Sequence, residues 1–307
     1  MKGRQIKALY LIFFVFLYAI LCGCSENDYK LRVNDKSVII TIDSKNAKEL
    51  PKHFRKTNDR INAESGKVPN LNGLDSLNIS GSSQFSEEGF KLVKQAIGDN
   101  MPITVIDLRQ EYHAFINGMA VNIKQVNKKE EGSLTIEQLI TDENSKLQSI
   151  PLGKPLSINN GKKQTVEATK VQNEEDLVKS EGMSYVRIPV VDGKKPTNEM
   201  VDYFIQFVKY MPKDVWLHFH CRQGIGRTTT FMVMFDIMKN CKVATLEDII
   251  DRQVLLGGKN LMEDTKKIEV YAIKRSEFIE EFYKYCSENK DNYQTTWSQW
   301  FKQIHGQ

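Results

Sequence analysis

The stretch His220-Cys221-Arg222-Gln223-Gly224-Ile225-Gly226-Arg227-Thr228 decides how this chain of 307 residues is interpreted. It follows the apolar run Val215–His220, typical of a buried strand, and leads into a helical pattern over Arg227–Asn240. A cysteine at this junction faces the unpaired amides of a helix N-terminus, whose partial positive charge favours the thiolate. Gly224 and Gly226 allow the backbone to curl, so that these amides converge and bind phosphate oxygens.

The residues around the cysteine predict a phosphoryl-transfer site. Arg227 follows Cys221 by six residues, and its planar guanidinium suits two phosphate oxygens. Thr228 is predicted to donate a hydrogen bond to the sulfur and to ease its departure in a second step. His220 is expected to orient the loop from beneath, because a thiol that is already ionised needs no base. The phosphate-binding loop consists of Arg222, Gln223, Gly224, Ile225 and Gly226.

Phosphoryl transfer from an ester needs a carboxylic acid that protonates the leaving oxygen. Asp192 is the best candidate, because it follows the strand Ser184–Pro189 and lies in a loop with Gly and Pro, 29 residues before the cysteine. Asp202 and Asp214 compete on position, but they fall on a helix and in a turn before the next strand. The optimum is expected to be mildly acidic, since the acid must carry a proton while the thiol does not.

The rest of the chain predicts an α/β fold with a β-rich insertion. Strands alternate with helices, which favours a central sheet flanked by helices, and residues 44–82 are expected to be loop-like. The further strands are expected at Ser37–Asp43 and Ile103–Leu108, and the further helices at Ser86–Ile97, Glu199–Tyr210, Thr245–Leu255 and Ile268–Asn289. Short alternating pieces over about 112–178 indicate a small inserted β domain, with strands expected at Phe115–Ile123, Ser133–Ile140, Gln148–Ile158 and Gln164–Val171.

The N-terminal residues have the pattern of a secretory signal. Three basic residues near the start precede the uncharged run Ala8–Ser25, whose centre is aliphatic and aromatic. Leu21 and Gly23 stand at the −3 and −1 positions before Cys24, as in a bacterial lipobox. The sequence therefore predicts a signal over residues 1–24 with Cys24 lipidated, and an exported, membrane-anchored protein at the cell envelope. An uncleaved anchor is the alternative, but the run is shorter than the ~20 residues of a spanning helix.

Charge and cysteine content restrict the function further. The formal net charge is +4, and removal of the three basic residues of the signal leaves 40 basic and 39 acidic residues, or +1. A near-neutral protein has no general attraction for nucleic acid, so any polyanionic ligand must be held by a local cluster. We expect a polar tether over residues 25–36 and a phosphatase domain over 37–307. The three remaining cysteines have neither paired nor zinc-like spacing, so no metal site is predicted.

The loop resembles the C-x5-R loop of cysteine-dependent phosphatases, and the wider stretch Trp216–Asp236 resembles that of the bacterial protein-tyrosine-phosphatase-like (PTP-like) phytases. Further stretches extend the resemblance over about residues 40–303, and they are Leu50–Arg55, Leu77–Ser86, Val105–Glu111 with His113 and Asn117-Gly118, and Tyr293–Trp300. The resemblance implies a phosphatase core with an inserted partial β-barrel. It also implies stepwise removal of phosphates from myo-inositol hexakisphosphate through a phosphocysteine, without metal or other cofactor.

Such a polyanionic substrate needs cations around the loop. Arg222 lies in the loop itself, and the candidates for the rim are Arg55, Lys194, Lys195, Lys274 and Arg275. Arg55 matches the family's Pro-x-x-Phe-Arg stretch. The residue after the acid is often His in relatives but is Gly193 here, which leaves the order of phosphate removal open.

Two alternatives remain open from the sequence. The first is a protein-tyrosine or phosphoinositide phosphatase on the same scaffold, which would use the same chemistry in a different pocket. The second is a phospho-ligand binding module without activity. Such modules typically lack the nucleophile or the arginine, whereas Cys221, Arg227 and Asp192 are all present.

Overall fold

The strands and helices alternate along the part of the chain that the structure, a computed structural model, describes. That part comprises residues 38–61, 68–125, 134–159, 161–263 and 270–306, without the side chains of 270–274. It belongs to one compact unit over residues 33–307. The strands are β1 Val38–Ser44, β2 Arg55–Lys56, β3 Ile79–Ser82, β4 Ile103–Arg109, β5 His113–Ile116, β6 Met119–Gln125, β7 Pro155–Asn159, β8 Lys163–Glu167, β9 Val171–Gln172, β10 Ser184–Val190 and β11 Trp216–His220. The helices are α1 Glu87–Ile97, α2 Ile136–Gln148, α3 Glu174–Ser180, α4 Asn198–Tyr210, α5 Gly226–Asn240, α6 Leu246–Leu255, α7 Val270–Glu288 and α8 Trp297–His305.

A five-stranded sheet in the order β10-β4-β11-β3-β2 positions the site. Its first four strands are parallel, and only β2 runs antiparallel. All residues of β4 and β11 are buried, which explains why these strands read as apolar runs without alternation. Because parallel strands end at the same edge, the residues that follow β10, β4, β11 and β3 meet there.

Helix α5 follows β11 directly and forms the centre of the main core. Twelve of its 15 residues are buried, including Phe231 and Phe235, which pack with residues of β11 and α4. The side chain of Asp236 pairs with Arg252 of α6 inside this core, and both are fully buried. A helix that is buried on most faces is packed against neighbours on most faces. The residues around α5 therefore fix the helix that follows the Cys221 loop.

A six-stranded sheet in the order β8-β7-β1-β6-β5-β9 forms most of the β-rich insertion. Strand β1 comes from the beginning of the described chain and pairs with β6 and β7, so the insertion is completed by a distant segment. Its own core contains Ile40, Val121 and Ile158. The closure of this sheet into a partial barrel stays a prediction.

Several expectations for local structure were wrong. Residues 79–82, placed in a loop, form the inner strand β3, whose Ser and Gly residues lack the apolar pattern of a buried strand. The expected strand at Ser133–Ile140 is the start of helix α2, because Thr135 and Gln138 form a capping box and buried residues recur four apart. The expected strand at Phe115–Ile123 contains the hairpin turn Asn117-Gly118, where both residues have positive φ.

Helix α8 was not anticipated. It begins after Thr296, which caps it in a box with Gln299, and it packs Trp297 into the main core. The helices expected at residues 86–97, 199–210, 227–240, 245–255 and 268–289 are present, with ends that differ by one or two residues. None of the helices among the described residues is long and apolar enough to span a bilayer. Cys24 and the predicted signal and tether lie outside the described residues.

Candidate active site

The sulfur of Cys221 lies at the N-terminus of α5 and accepts two hydrogen bonds. The backbone amide of Gly224 and the hydroxyl of Thr228 both donate to Sγ at 3.2 Å. The cysteine is 2% exposed. Both donors favour a negative charge on the sulfur, as does the positive end of a 15-residue helix. The contact expected for Thr228 is therefore present.

The connection after β3 supports the loop from below. Gly224 has φ +74°, and a Cβ there would lie 2.3 Å from the amide nitrogen of Ser83, so only glycine fits. Arg55 donates to the carbonyl oxygen of Gly224 at 3.0 Å and to Thr229 Oγ1 at 3.0 Å. Burial lowers the pKa of Arg55 to about 10, although the nearby Cys221 raises it. The loop is thus fixed both by close backbone packing and by a buried cation.

A neutral chain of hydrogen bonds runs across β11 and β3 beneath this connection. Trp216 Nε1 donates to Ser80 Oγ at 2.8 Å, and Ser80 Oγ lies 2.9 Å from His218 Nδ1. Ser82 Oγ donates to the carbonyl of Ser83 and therefore accepts from His218 Nε2, 3.1 Å away. Burial and the neighbouring His220 lower the pKa of His218 to about 3, so the ring is neutral and each nitrogen has one role.

Arg227 is fixed from behind by Glu111. Its Nη1 and Nη2 donate to the two carboxylate oxygens at 2.7 and 2.9 Å, and Nη1 also donates to the carbonyl of Val190 at 2.9 Å. Nε is buried and makes no hydrogen bond to the residues that the structure describes. Burial alone would lower the pKa of Arg227, but Glu111 raises it above its usual value. Nε and Nη2 therefore form the edge of the guanidinium suited to a phosphate.

Asp192 lies beside this arginine at the end of β10. Its Oδ1 accepts from Arg227 Nη2 at 2.9 Å, and 65% of its side chain is exposed. The competing candidates are elsewhere: Asp202 accepts hydrogen bonds from Ser298, and Asp214 lies in the turn before β11. Only Asp192 has the position expected for the acid.

Alternating charges link both ends of the loop through two strands. Arg222 Nε donates to Asp43 Oδ1 at 2.8 Å, and Asp43 Oδ2 lies 2.9 Å from Arg109 Nη2. Arg109 Nε donates in turn to Glu111 Oε1 at 3.0 Å, and Glu111 binds Arg227. Burial alone would raise the pKa of Glu111, but Arg109 and Arg227 hold it well below the usual range. The loop is tied in this way to β1 and to the end of β4.

His220 belongs to a second buried charge cluster. In the sheet register, Asp107 of β4 stands beside His220 of β11 on one side and Arg187 of β10 on the other. His220 Nε2 lies 2.6 Å from Glu174 Oε1, and His113 Nε2 lies 3.2 Å from Asp107 Oδ2. His220 therefore holds the strand end before Cys221 through carboxylates, in keeping with an orienting role.

The charges of this cluster stabilise one another. Burial alone would raise the pKa of Asp107, but His113 and Arg187 hold it well below the usual value. Burial likewise opposes ionisation of His113, yet Asp107 and Glu143 raise its pKa to about 10. Glu174 is kept ionised mainly by His220, with its pKa lowered to about 2 against the effect of burial.

Comparison with known proteins identifies the family. A family model for PTP-like phytases, described as "Inositol hexakisphosphate", matches residues 123–239. The structure of a PTP-like phytase from Bdellovibrio bacteriovorus is 32% identical, with a TM-score of 0.70, and the match covers 86% of this chain and 94% of that one. The chain belongs to the PTP-like phytase family.

Two further relatives are longer than this chain. The PTP-like myo-inositol phosphatase of Mitsuokella multacida, whose structure is in complex with myo-inositol-(1,3,4,5)-tetrakisphosphate, is 33% identical with a TM-score of 0.79, over 86% of this chain and 48% of that one. The effector protein hopD2 of Pseudomonas syringae pv. tomato is 28% identical over 275 residues, which are 83% of this chain and 58% of that protein. This member of the PTP-like phytase family thus spans about half the length of these two relatives.

The candidate rim cations of this PTP-like phytase occupy different environments. Lys194 is exposed on the loop that carries Asp192, which we call the acid loop. Lys195 places Nζ 5.5 Å from the ring centre of Phe278. Arg55 and Arg275 are 3% and 6% exposed, so they do not have the open position expected of rim cations, and their role in substrate binding stays a prediction. Arg55 donates to the carbonyl of Gly224, and Arg275 donates to that of Gly193. The sequence alone does not indicate these contacts. The side chain of Lys274 lies outside the described residues.

The remaining loop residues differ in exposure. Arg222 is half-buried with 36% of its side chain exposed, while Gln223 and Ile225 point their side chains to the surface. Gly226 is half-buried next to Arg275. In the loop of this PTP-like phytase, the amide of Gly224 therefore points to the sulfur while the side chains of Gln223 and Ile225 remain outside.

One group of the PTP-like phytase fold has the spacing of a metal site. The ligand atoms of Asp107, Glu174 and His220 lie within 4.8 Å of one another, and all three are buried. Arg187 Nε lies 3.2 Å from Asp107 Oδ2, and His113 adds a second positive charge. A divalent cation would meet these charges at close range, so we interpret the group as an ion-pair cluster.

Sequence reasoning missed the carboxylates that hold this site. Glu111, Asp43 and Glu174 had no assigned role. A signal existed for one of them, because Asp107, Arg109 and Glu111 alternate at the end of an apolar strand, where parallel sheets place functional groups. Asp43 and Glu174 carry no such signal, since their partners lie on other elements.

Proposed function

We propose that this chain hydrolyses phosphate monoesters of myo-inositol polyphosphates through a phosphocysteine intermediate. One observation carries the proposal: the sulfur of Cys221 accepts from the Gly224 amide and the Thr228 hydroxyl near Arg227, whose Nε–Nη2 edge suits a phosphate. Membership of the PTP-like phytase family supports the same chemistry. The chain has the nucleophile, the arginine and the acid in one place.

In the first step the thiolate of Cys221 attacks phosphorus in line with the ester oxygen. The sulfur–phosphorus bond forms as the ester bond breaks, and the loop amides with Arg227 stabilise the equatorial oxygens. Asp192 gives its proton to the leaving oxygen, so that an alcohol departs rather than an alkoxide. A bound phosphate also competes for Arg227 Nη2, which releases Asp192 from its ion pair.

In the second step water attacks the phosphocysteine. Asp192, now ionised, accepts a proton from that water, and the sulfur–phosphorus bond breaks. The hydroxyl of Thr228 and the amide of Gly224 are within 3.2 Å of the sulfur and stabilise the returning thiolate. Phosphate then leaves, and the chain needs neither a metal nor an organic cofactor for these steps.

The substrate class rests on the relatives and on local charge. The Mitsuokella relative was solved with an inositol tetrakisphosphate, and this chain offers Arg222 and Lys194 on exposed parts of the two loops. A protein-tyrosine or phosphoinositide phosphatase would use the same steps. No feature of the described site favours that alternative specifically.

A comparison of rates tests the proposal. We expect kcat/KM for myo-inositol hexakisphosphate to exceed that for a phosphotyrosine peptide by at least about tenfold, a difference of ~1.4 kcal/mol in transition-state binding. Cys221→Ser is expected to abolish turnover while the variant still binds inositol phosphate, measured by calorimetry. Preference for the peptide would overturn the substrate, and unchanged turnover in Cys221→Ser would overturn the nucleophile.

We also propose that the protein is exported and anchored by a lipid on Cys24. The pattern of the first 25 residues supports this, with a lipobox-like Leu21-Cys22-Gly23-Cys24. Incorporation of labelled palmitate by the full chain in a bacterial host, and its loss in Cys24→Ala but not in Cys22→Ala, is the expected result. Equal labelling of wild type and Cys24→Ala would contradict the anchor.

A further inference from the structure

Arg275 of α7 connects two loops of the site. Its Nη2 donates to the carbonyl oxygens of Gly193 and Lys194 at 3.0 and 3.1 Å, and these residues directly follow Asp192. The guanidinium is buried, with 6% of the residue exposed. Both acceptors are backbone groups, so Arg275 fixes the path of the acid loop itself.

The same guanidinium lies close to the phosphate-binding loop. A Cβ placed on Gly226 would lie 3.6 and 3.7 Å from Nη1 and Nη2 of Arg275, which is ordinary van der Waals contact. Gly226 is also the first residue of α5. One side chain therefore binds the loop that carries the acid and lies close to the loop that carries the nucleophile.

The acid loop needs this support when substrate binds. The carboxylate of Asp192 pairs with Arg227, and an incoming phosphate competes for that guanidinium. The amide of Lys194 donates to the carbonyl of Val191 at 3.1 Å and closes the turn, but the space beside Gly193 is open, since a Cβ there would meet nothing within 4 Å. The hydrogen bonds from Arg275 to the backbone do not depend on the state of the Asp192 carboxylate.

We propose that Arg275 is a positioning residue that holds Asp192 over the sulfur while the leaving oxygen is protonated. The proposal rests on the proposed function for its chemistry. It differs from the role of a rim cation, which would act on the charge of the substrate and change KM. A positioning residue acts through the acid. Its loss therefore lowers kcat/KM most for esters whose leaving group needs a proton.

Two aryl phosphates separate these roles without relying on inositol specificity. Phenyl phosphate releases a poor leaving group that needs a proton, whereas 2,4-dinitrophenyl phosphate releases a phenolate that does not. We would measure kcat/KM for both esters in wild type, Arg275→Gln, Asp192→Asn and the double variant. Lys179→Gln removes one positive charge from an exposed site on α3 and serves as the matched control. Hydrolysis of inositol hexakisphosphate is recorded alongside.

Arg275→Gln is expected to lower kcat/KM for phenyl phosphate by about 10–100-fold, part of the ~10²–10⁴-fold that a general acid contributes. The loss for 2,4-dinitrophenyl phosphate should stay below about threefold, on the same reasoning. In the Asp192→Asn background, Arg275→Gln should add little, because the acid that it positions is already gone. Lys179→Gln should match wild type on both esters.

Equal losses on the two esters, or effects of the two substitutions that multiply, would overturn the positioning role. A rise in KM for inositol hexakisphosphate with kcat unchanged would instead identify Arg275 as a substrate-binding cation. Retained cleavage of 2,4-dinitrophenyl phosphate shows that the variant is folded, and Arg275→Lys provides a second variant that can still donate to the carbonyls. Failure of wild type on inositol hexakisphosphate would overturn the proposed substrate and leave the two-ester comparison valid.

Discussion

Glu111 determines which atoms of Arg227 are available to a phosphate. Its two oxygens take one hydrogen from each terminal nitrogen of the guanidinium, at 2.7 and 2.9 Å. Glu111 leaves the edge formed by Nε and Nη2 to other partners, and there a phosphate competes with Asp192, which accepts from Nη2 at 2.9 Å. Since the carboxylate also binds Arg109 at 3.0 Å, it is itself held in one orientation. A guanidinium fixed in advance loses less entropy when a phosphoryl group arrives.

Glu111→Gln should therefore impair catalysis. The amide cannot accept from both terminal nitrogens, so Arg227 would rotate away from the orientation that suits the phosphate. We expect kcat/KM for inositol hexakisphosphate to fall by about 10–100-fold, or ~1.4–2.7 kcal/mol of transition-state stabilisation. Glu87→Gln makes the same chemical change at a surface ion pair with Lys170 and should have no effect. Equal rates for Glu111→Gln and wild type would show that Arg227 needs no fixed partner.

The residues of the loop were predictable from the sequence because their chemistry is local. Cys221, Arg227 and Thr228 stand within eight residues, and the hydrogen bond of Thr228 to the sulfur closes this short stretch of chain. Glu111 and Asp43 act on the same loop from 116 and 179 residues away in sequence. Nothing in one sequence relates positions so distant, and the burial of Arg55 could not be predicted for the same reason.

At the scale of elements, β1 is joined to the phosphate-binding loop by one carboxylate. Asp43 lies near the end of β1 in the six-stranded sheet, and its side chain is 1% exposed between Arg222 and Arg109. This ion pair connects the small sheet to the large one at the active site. The position of Arg222 toward the substrate is therefore set by a strand that contributes no catalytic group.

Asp43→Asn is expected to destabilise the protein and to loosen this link. Two arginines would then share a neutral amide. Removal of one partner of a buried ion pair costs about 3 kcal/mol of folding free energy. The free energy of unfolding in urea measures the loss, and KM for inositol hexakisphosphate is expected to change as Arg222 moves. Asp99→Asn alters an exposed aspartate and serves as the control. Unfolding at the same urea concentration in Asp43→Asn and wild type would contradict the link.

Elements with a clear hydrophobic periodicity were predicted from the sequence. Elements whose composition is set by packing against distant segments were not. Helices α1 and α4 have serine or threonine caps and amphipathic faces, which the sequence shows directly. Strand β3 consists of Ile-Ser-Gly-Ser because Thr228 and Met232 of α5 leave no room above Gly81, where a Cβ would lie 2.5 Å from the Met232 sulfur. The small residues of β3 allow this close packing. Because Ser and Gly are also typical of loops, the sequence alone predicts a loop there.

At the scale of the whole molecule, the two sheets meet at buried charges beneath the active site. Gln84 joins the two ion-pair clusters, since it accepts from Arg109 at 2.6 Å and donates to Glu174 at 2.8 Å. His113 of the small sheet lies against Asp107 of the large one. Carboxylates and cations that stabilise each other in a buried place make folding depend on pH. The pH dependence of the stability of the molecule therefore originates in charges that lie beneath the active site.

The direction of this dependence follows from the shifted pKa values. The pKa of His113 is raised from its ordinary value of 6.5 to about 10, so the folded protein binds an extra proton between these values. Its stabilising effect is complete below about pH 6.5 and disappears as the pH rises through about 10. Asp107 and Glu174 have lowered pKa values, so their effect is present above about pH 4.5 and is lost in more acidic solution.

The free energy of unfolding should consequently be greatest at about pH 4.5–6.5 and fall by about 1–3 kcal/mol by pH 9. The groups that face His113 are Asp107, Arg109, Glu143, Glu174 and Arg187. His113→Asn removes the titrating ring, so urea unfolding at pH 6 and pH 9 should differ at most half as much as in wild type. His53→Asn is the control, because His53 is exposed and asparagine tolerates its positive φ of 57°. If His113→Asn kept the full pH dependence of wild type, another group would be responsible and the cluster would not link stability to pH.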